Sequence, residues 1–366
     1  MTTPSNIPGC MRGCRPSRPG AAVCGACGAW MAYQTDSGTD YFGLLRETPL
    51  IIDGKTCRMD RIVRVFARLN EYGYPVVTGL LARITGDDTR LLRQMPRPSP
   101  DHIVDPVRRE WAARWLRSTE DALRRVQDIP LASYPKGLIR VDGSVTIATN
   151  SLALVTARVE RLRDCRGVRG VMGPEVLRQL ATDLGEAIVA AGRAGVTLQD
   201  IKLENIVHCR GHFQLFDIDT WTHGVKTGEF TPITAAPEML TAPFLPPGFK
   251  NWEQDHPLQP ESDIYPWAVT LLQAAGLRQH PTASQRLANS QWEVPEGMDP
   301  ARLSPPLPPE MVPLLRRSLH LRPEERPILD EIAEMLAALR PPAVSEQMAS
   351  ISLPVMLQSA WRTLSR

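Results

Sequence analysis

The spacing of apolar positions changes along the chain and predicts strands first and helices afterwards. From residue 49 to residue 95, short apolar runs are separated by Gly-Lys and Gly-Asp-Asp turns, which is typical of strands. The segments "GLIRV" and "VTIATNSLALVTARV" continue this pattern. Between residues 104 and 127, Val107, Trp111 and Trp115 recur every four positions among charged residues, which predicts a helix.

The second half of the chain is predicted to be mainly helical. Its clearest helix covers residues 174–194, because Pro174 suits a first helical position and Gly192 and Gly195 suit a helix end. One apolar face runs along it, formed by Val176, Leu177, Leu180, Leu184, Ala187, Ile188 and Ala191. Two short strands are predicted in "NIVHC" and "HFQLFDI", and further helices at 262–275, 309–320 and 327–340. Strands followed by helices predict an α+β protein with two lobes.

Composition and charge narrow the class of protein. The chain has 366 residues, of which 43% are hydrophobic and 22% charged, and its formal net charge is +2. So small a net charge does not favour nucleic acid as a partner. No apolar run is long enough to predict a membrane span, and no secretory signal is visible. The seven cysteines are scattered, and without an export signal they predict a reducing, cytoplasmic compartment.

Four of the cysteines form two close pairs in the leader, residues 1–48. Cys10 and Cys14 are followed by Cys24 and Cys27 in "CGACG". Four thiolates in two close pairs suit tetrahedral Zn²⁺. The alternative is a disordered leader with incidental cysteines. Both interpretations stay open at this point.

A small set of polar residues in "LQDIKLEN" suggests chemistry. Asp200, Lys202 and Asn205 lie within six positions, and Asp217 follows an apolar strand twelve residues after Asn205. Metal-assisted phosphoryl transfer needs a carboxylate that accepts or orients a hydroxyl proton. It also needs a second carboxylate and an amide oxygen for Mg²⁺, and a lysine near the transferred group.

This stretch resembles the catalytic loop of eukaryotic-like Ser/Thr protein kinases, His-Arg-Asp-x-Lys-x-x-Asn. Asp200, Lys202 and Asn205 match it in type and spacing, and "QLFDID" resembles the Asp-Phe-Gly segment, with Asp217 as its acid. The resemblance implies that Asp200 and Lys202 are catalytic and that Asn205 and Asp217 bind Mg²⁺ and ATP. Leu198 and Gln199 replace the family's His-Arg, which implies activity without activation-loop phosphorylation.

Three later segments extend the resemblance over about 130 residues, in the family's order. "TPITAAPE" resembles the end of the activation segment, with Thr231 in the substrate loop and Glu238 in the closing triplet. "SDIYPWAVTLL" resembles the central helix of the large lobe, with Asp263 as its buried aspartate. "LRPEERP" resembles the segment whose arginine, here Arg326, pairs with the closing glutamate. For these last three residues the implied role is structural.

The resemblance implies an α+β, bilobal, protein-kinase-like fold with a strand-rich small lobe and a helical large lobe. The expected domains are the leader at 1–48, the small lobe at 49–160, the large lobe at 161–340 and a tail at 341–366. Arg93 stands where the family has its ATP-binding lysine, with Glu110 as the expected partner. Arginine need not hold phosphates as lysine does. Alternatively, the register differs and Arg93 is a solvated strand residue.

Two functions of different class follow from these residues. In the first, the protein is a divergent kinase that transfers the γ-phosphate of ATP, with Mg²⁺, to Ser or Thr hydroxyls of an unknown protein substrate. In the second, it is a pseudokinase that binds nucleotide or acts as a regulatory scaffold. All four polar groups needed for transfer are retained, which favours the enzyme.

Overall fold

The computed structural model describes most of the chain between residues 106 and 339, and upstream of these only backbone strand segments. The described ranges are 106–147, 151–156, 165–168, 170–209, 211–216, 220–226, 230–241, 244–249, 252–277, 280–294, 299–302 and 307–339. Side chains are described from residue 106 onward, except within 141–167 and at some further positions.

Helices form most of the part described with side chains. They are α1 Pro106–Gln127, α2 Pro174–Arg193, α3 Trp252–Asp255, α4 Ile264–Ala274, α5 Ala283–Ala288, α6 Met311–Ser318 and α7 Leu329–Leu339. The five helices predicted from apolar periodicity are confirmed as α1, α2, α4, α6 and α7, with ends shifted by at most two residues. The two shortest helices lack a long periodic pattern, which is why the sequence did not predict them.

Helix α2 lies at the centre of this helical region. Leu177, Leu180, Leu184 and Ile188 on its apolar face are at most 2% exposed. A Cβ atom at Gly185 would lie 2.5 Å from Leu336 Cδ1 in α7. The absence of a side chain there therefore lets α7 approach α2 closely.

The strands in this region form an antiparallel hairpin that follows the candidate catalytic loop. Its strands are Ile206–Cys209 and His212–Leu215, and Ile206 pairs with Leu215. Gly211 has a φ of 78°, a left-handed conformation that suits the turn. Phe213 and Leu215 are buried while His212 and Gln214 are half-buried. The hairpin confirms the two strands predicted here and packs its apolar side onto the helical core.

Further strand segments are described as backbone. They are Gly9–Cys10, Met31–Thr35, Gly38–Asp40, Leu50–Ile52, Lys55–Cys57, Met59–Leu69, Pro75–Ile84, Asp87–Gln94, Val141–Ile147, Ser151–Thr156 and Cys165–Gly167. The last of these pairs with Ile206–Cys209. Met59–Leu69, Pro75–Ile84 and Asp87–Gln94 pair in succession, and Ser151–Thr156 joins the third of them to Val141–Ile147.

The predicted fold class, an α+β bilobal fold with a strand-rich small lobe, is wrong. The part of the chain described with side chains is about 53% helical, and the strands within it form the one antiparallel hairpin Ile206–Cys209 and His212–Leu215. Strands are identified by alternation of apolar residues, which is a local property. A lobe additionally requires a core of packed side chains, and for the upstream strands the structure defines backbone pairing alone.

The structure bears on the prediction that the chain has no membrane span, but it does not test the predicted zinc site. Within the described residues, no helix combines the length and apolarity needed to cross a membrane. Cys14, Cys24 and Cys27 lie outside the described residues, and Cys10 is described as backbone only. The zinc site in the leader therefore stays a prediction.

Candidate functional site

A buried carboxylate positions the backbone of the candidate catalytic loop. Asp263 is 1% exposed and lies at the end of the 3₁₀ segment Pro260–Asp263, immediately before α4. Its Oδ2 accepts the backbone N–H of Leu198 at 2.6 Å, and its Oδ1 accepts that of Gln199 at 2.8 Å. The Thr270 hydroxyl of α4 donates to the Pro266 carbonyl oxygen of its own helix at 2.7 Å and lies 3.2 Å from the Ile201 carbonyl oxygen. Asp263 therefore fixes the loop immediately before Asp200, and α4 contacts the loop immediately after it.

The same carboxylate has a perturbed pKa. Burial raises the pKa of Asp263 to about 7, because removal from water disfavours the charged form. The backbone N–H donors of Leu198 and Gln199 oppose this shift, whereas the nearby charge of Glu238 adds to it. The group that anchors the loop therefore changes charge near neutral pH.

Asp200, Lys202 and Thr231 form a compact hydrogen-bonded cluster. Lys202 Nζ lies 2.6 Å from Asp200 Oδ2 and donates to Thr231 Oγ1 at 2.8 Å. The Thr231 hydroxyl donates to Asp200 Oδ1 at 2.8 Å, and the Thr231 backbone N–H donates to the same oxygen at 3.1 Å. The side chains of Asp200 and Lys202 are 9% and 22% exposed, so both remain in reach of a ligand.

Asn205 completes this cluster from the loop side. Its Nδ2 donates to the Asp200 backbone oxygen at 2.9 Å and to Asp200 Oδ2 at 3.1 Å. Because Nδ2 is used in this way, Oδ1 is the atom of this amide that can bind a cation. Asp217 lies outside the described residues. The residue before it, Phe216, donates its N–H to the Asn205 carbonyl oxygen at 3.1 Å. The described segment that ends at Phe216 therefore lies beside Asn205.

Glu238 and Arg326 form a buried ion pair that fixes the segment after Thr231. Both side chains are 0% exposed, and Arg326 Nη1 and Nη2 lie 2.5 Å and 2.9 Å from Glu238 Oε1 and Oε2. Two parallel contacts of this kind define orientation as well as distance. The pair joins the 3₁₀ segment Pro237–Met239 to the chain that precedes α7.

The structure does not test the predicted pairing of Arg93 with Glu110. Glu110 is exposed in the second turn of α1. Arg93 is described as backbone on the strand Asp87–Gln94, and its side chain lies outside the described residues. Their pairing as a substitute for the lysine–glutamate pair of kinases stays a prediction.

Gln199 has a role that the sequence analysis missed. It is 4% exposed and has a φ of 66°, in the left-handed region that non-glycine residues rarely adopt. Its Nε2 donates to Thr222 Oγ1 and, at 3.0 Å, to the Val225 carbonyl oxygen. Uncharged hydrogen bonds thus link the candidate catalytic loop to residues 220–225. Sequence alone gave only the weak signal of an amide where the kinase pattern has an arginine.

Two neighbouring contacts strengthen this link. Thr197 and Thr222 exchange backbone hydrogen bonds of 2.9 Å and 3.0 Å. The Thr220 hydroxyl donates to the Leu198 carbonyl oxygen at 2.5 Å. Leu198 itself is 1% exposed, so it packs in the apolar core where the kinase pattern has a histidine.

The described site combines a partly exposed carboxylate, an ammonium group, a side-chain amide and a hydroxyl, each hydrogen-bonded to another member of the set. Such a set can accept a proton from a hydroxyl, stabilise negative charge and contribute to binding a hard cation. No protein-family model matches the chain, and no curated protein matches it either.

Proposed function

We propose that the protein is a phosphotransferase that moves the γ-phosphate of ATP to a Ser or Thr hydroxyl of a protein substrate. The observation that carries this proposal is the hydrogen bond from the Thr231 hydroxyl to Asp200 Oδ1, with Lys202 Nζ bound to both groups. A carboxylate that already accepts a threonine hydroxyl is suited to accept one from a substrate. The order of the kinase-like motifs along the chain is a second line of support.

In the proposed reaction the substrate oxygen forms a bond to the γ-phosphorus, and the bond from this phosphorus to the ADP oxygen breaks. Asp200 orients the attacking hydroxyl and receives its proton. Lys202 stabilises the charge on the transferred group, which passes through a transition state with its charge spread over the phosphoryl oxygens. Asn205 Oδ1 and Asp217 would hold Mg²⁺, which neutralises charge on the phosphates.

A second candidate is a pseudokinase that binds nucleotide or a partner protein without transfer. The observation that favours it is the exposure of Glu110, because kinases need a cation–glutamate pair to position the nucleotide phosphates. A pseudokinase would have the same arrangement of site residues but would not transfer a phosphoryl group.

The test is incorporation of labelled phosphate by the full-length protein supplied with ATP, Mg²⁺ and a mixture of generic protein substrates. We expect incorporation by the wild type, and losses on the order of a hundredfold or more for Asp200→Asn and Asp217→Asn. Asp330→Asn is the matched control, because it changes a carboxylate that is 73% exposed and paired with Arg193. It should retain the wild-type rate.

Nucleotide binding separates the two candidates. If the wild type binds ATP, measured by calorimetry, but transfers phosphate to neither itself nor any substrate, the pseudokinase proposal replaces the enzyme. If Asp200→Asn transfers phosphate at the wild-type rate, Asp200 is not the base of the reaction.

A further inference from the structure

We propose that Cys165 and Cys209 form a redox modification site, in which a hydroperoxide converts the two thiols into a reversible disulfide. This site lies on the strands next to the candidate catalytic loop and takes no part in the proposed phosphoryl transfer. It therefore stands or fails independently of the proposed function.

The two cysteines stand directly opposite each other on paired strands. Both are described as backbone, and the antiparallel register pairs Cys165, the first residue of Cys165–Gly167, with Cys209, the last residue of Ile206–Cys209. The Cα atoms of directly opposed residues in an antiparallel pair are about 4.5 or 5.5 Å apart. Both values fall within the range of about 4.4–6.8 Å that disulfides span. The backbone as it stands is therefore compatible with a bond between the two sulfur atoms.

A histidine occupies the next position in the same row. Cys209 is paired with His212 in the hairpin, so Cys165, Cys209 and His212 follow one another across three adjacent strands. Directly opposed residues share one face of a sheet, and Cys209 is the middle member of the three. The His212 side chain is 30% exposed, so water and a small oxidant can reach this end of the row.

A buried carboxylate of α2 holds the His212 ring. Its Nδ1 lies 3.2 Å from Asp183 Oδ1, and the Asp183 side chain is 3% exposed. Asp183 Oδ2 accepts the Phe213 backbone N–H at 2.8 Å, which ties the same strand to α2. A carboxylate at Nδ1 favours the imidazole tautomer that carries its proton there. The other ring nitrogen, Nε2, is then free of a proton and can accept one from a neighbouring thiol.

The sequence around both cysteines favours the reactive form of the thiol. Each cysteine is followed by arginine and glycine, as "CRG" at 165–167 and again at 209–211. Nearby cationic groups stabilise a thiolate, and the thiolate is the form that attacks a peroxide. Cys209 additionally stands opposite His212, whereas Cys165 lies at the far end of the row. Cys209 is therefore the thiol that reacts first, and Cys165 is the thiol that closes the disulfide.

The reaction takes two electrons from the two thiols. The Cys209 thiolate attacks one peroxide oxygen and the O–O bond breaks, which leaves a sulfenic acid on Cys209 and releases water or an alcohol that carries the thiol proton. The Cys165 thiol then attacks the sulfenic sulfur, the S–S bond forms, the S–O bond breaks, and water leaves. A dithiol reductant reverses the step by thiol–disulfide exchange. The disulfide joins the strand that precedes α2 to the strand that begins directly after Asn205.

The experiment oxidises the reduced full-length protein with hydrogen peroxide, blocks the remaining thiols and digests the product with trypsin without reductant. Trypsin cleaves after Lys and Arg, so Cys165 is released in peptide 164–166 and Cys209 in peptide 203–210. We expect the linked pair of these peptides to be the main disulfide in the mass spectrum and to disappear after treatment with dithiothreitol. Its share of all disulfides should be several-fold smaller when the protein is oxidised in urea, because the unfolded chain no longer holds the two cysteines opposite each other.

Serine variants test the pair and the order of its two thiols. Cys209→Ser and Cys165→Ser should each abolish the linked peptides. Cys57→Ser is the matched control and should retain them, because Cys57 is paired with Leu50 rather than with a cysteine. In Cys165→Ser the sulfenic acid on Cys209 has no resolving thiol, so dimedone should label peptide 203–210. In Cys209→Ser the label on peptide 164–166 should be at least several-fold weaker.

Two histidine variants test the role of the imidazole as a proton acceptor. His212→Gln should slow formation of the disulfide by on the order of tenfold or more, because proton transfer from the thiol loses its base. His208→Gln is the matched control. His208 adjoins Cys209 in sequence, but the alternation of the strand places it on the other face, where its ring centroid lies 4.8 Å from that of Phe213. It should leave the rate unchanged.

The outcomes decide the proposal without any measurement of phosphate transfer. A wild type that yields no linked peptides overturns the redox modification site, as does linkage that is equally abundant in the folded and the unfolded chain. A zinc ion that elemental analysis finds in the wild type, and that both Cys209→Ser and His212→Gln lose, overturns it in favour of a metal site. Equal rates for His212→Gln and His208→Gln would remove His212 from the reaction.

Discussion

The buried ion pair of Arg326 and Glu238 gives a quantitative test of how the segment after Thr231 is held. Arg326 also donates from Nε to the His320 carbonyl oxygen at 2.8 Å and from Nη2 to that of Leu321 at 3.1 Å. Glu238→Gln removes the negative charge and leaves this guanidinium buried without its counter-charge. Loss of one partner of a buried pair costs about 3–5 kcal/mol, because the remaining charge is neither solvated nor paired.

The control is a surface ion pair on the same helical region. Arg193 Nη2 lies 2.7 Å from Asp330 Oδ1, and the two side chains are 59% and 73% exposed. An exposed pair contributes less than about 1 kcal/mol, since water and salt screen its charges. Asp330→Asn should therefore lower the free energy of unfolding far less than Glu238→Gln.

Urea unfolding followed by circular dichroism measures both variants against the wild type. We expect Glu238→Gln to lower the free energy of unfolding by at least about 3 kcal/mol. High salt should reduce the effect of Asp330→Asn and leave that of Glu238→Gln nearly unchanged, because burial limits screening. Equal losses for the two variants would refute the reasoning, since they would mean that the Arg326–Glu238 pair is solvated.

Two further predictions concern the residues around the candidate catalytic loop. The pKa of Asp263 is raised from 3.8 to about 7, so its contribution to stability is present below a pH of about 4 and is lost as the pH rises to about 7. The free energy of unfolding of the wild type should therefore fall across this window relative to Asp263→Asn, by on the order of 4 kcal/mol; equal pH slopes in urea unfolding would contradict this. Gln199→Ala and Gln199→Gly lose the same side-chain hydrogen bonds, but at a φ of 66° glycine carries no left-handed penalty. The glycine variant should thus be more stable by about 1 kcal/mol in thermal unfolding, and the reverse order would exclude the left-handed conformation.

The helices were predictable because their signal is local. The apolar face that begins at Val176 has the helical period, and Pro174 and Gly195 mark the ends. The predicted helix at 174–194 accordingly agrees with α2 to within one residue. The fold class was not predictable in the same way, because alternation of apolar residues identifies strands without showing that they form a lobe.

The candidate site was likewise predictable only where its signal is local. The order and spacing of Asp200, Lys202 and Asn205 are properties of the sequence, and they were sufficient to single out the loop. The hydrogen bond between Thr231 and Asp200 joins residues thirty-one positions apart, and no local sequence pattern predicts such a contact. The proposed pairing of Arg93 with Glu110 rests on sequence position alone, because the side chain of Arg93 lies outside the described residues.

The sequence by itself determined which residues could take part in chemistry and which segments form helices. Tertiary structure alone decided that Asp263 holds the backbone of Leu198 and Gln199, and that the amide of Gln199 binds Thr222. It also decided that Cys165 and Cys209 stand opposite each other on paired strands. The physical reason is that burial and long-range hydrogen bonds depend on how distant segments pack, whereas periodicity and motif spacing depend on residues that are close together in the sequence.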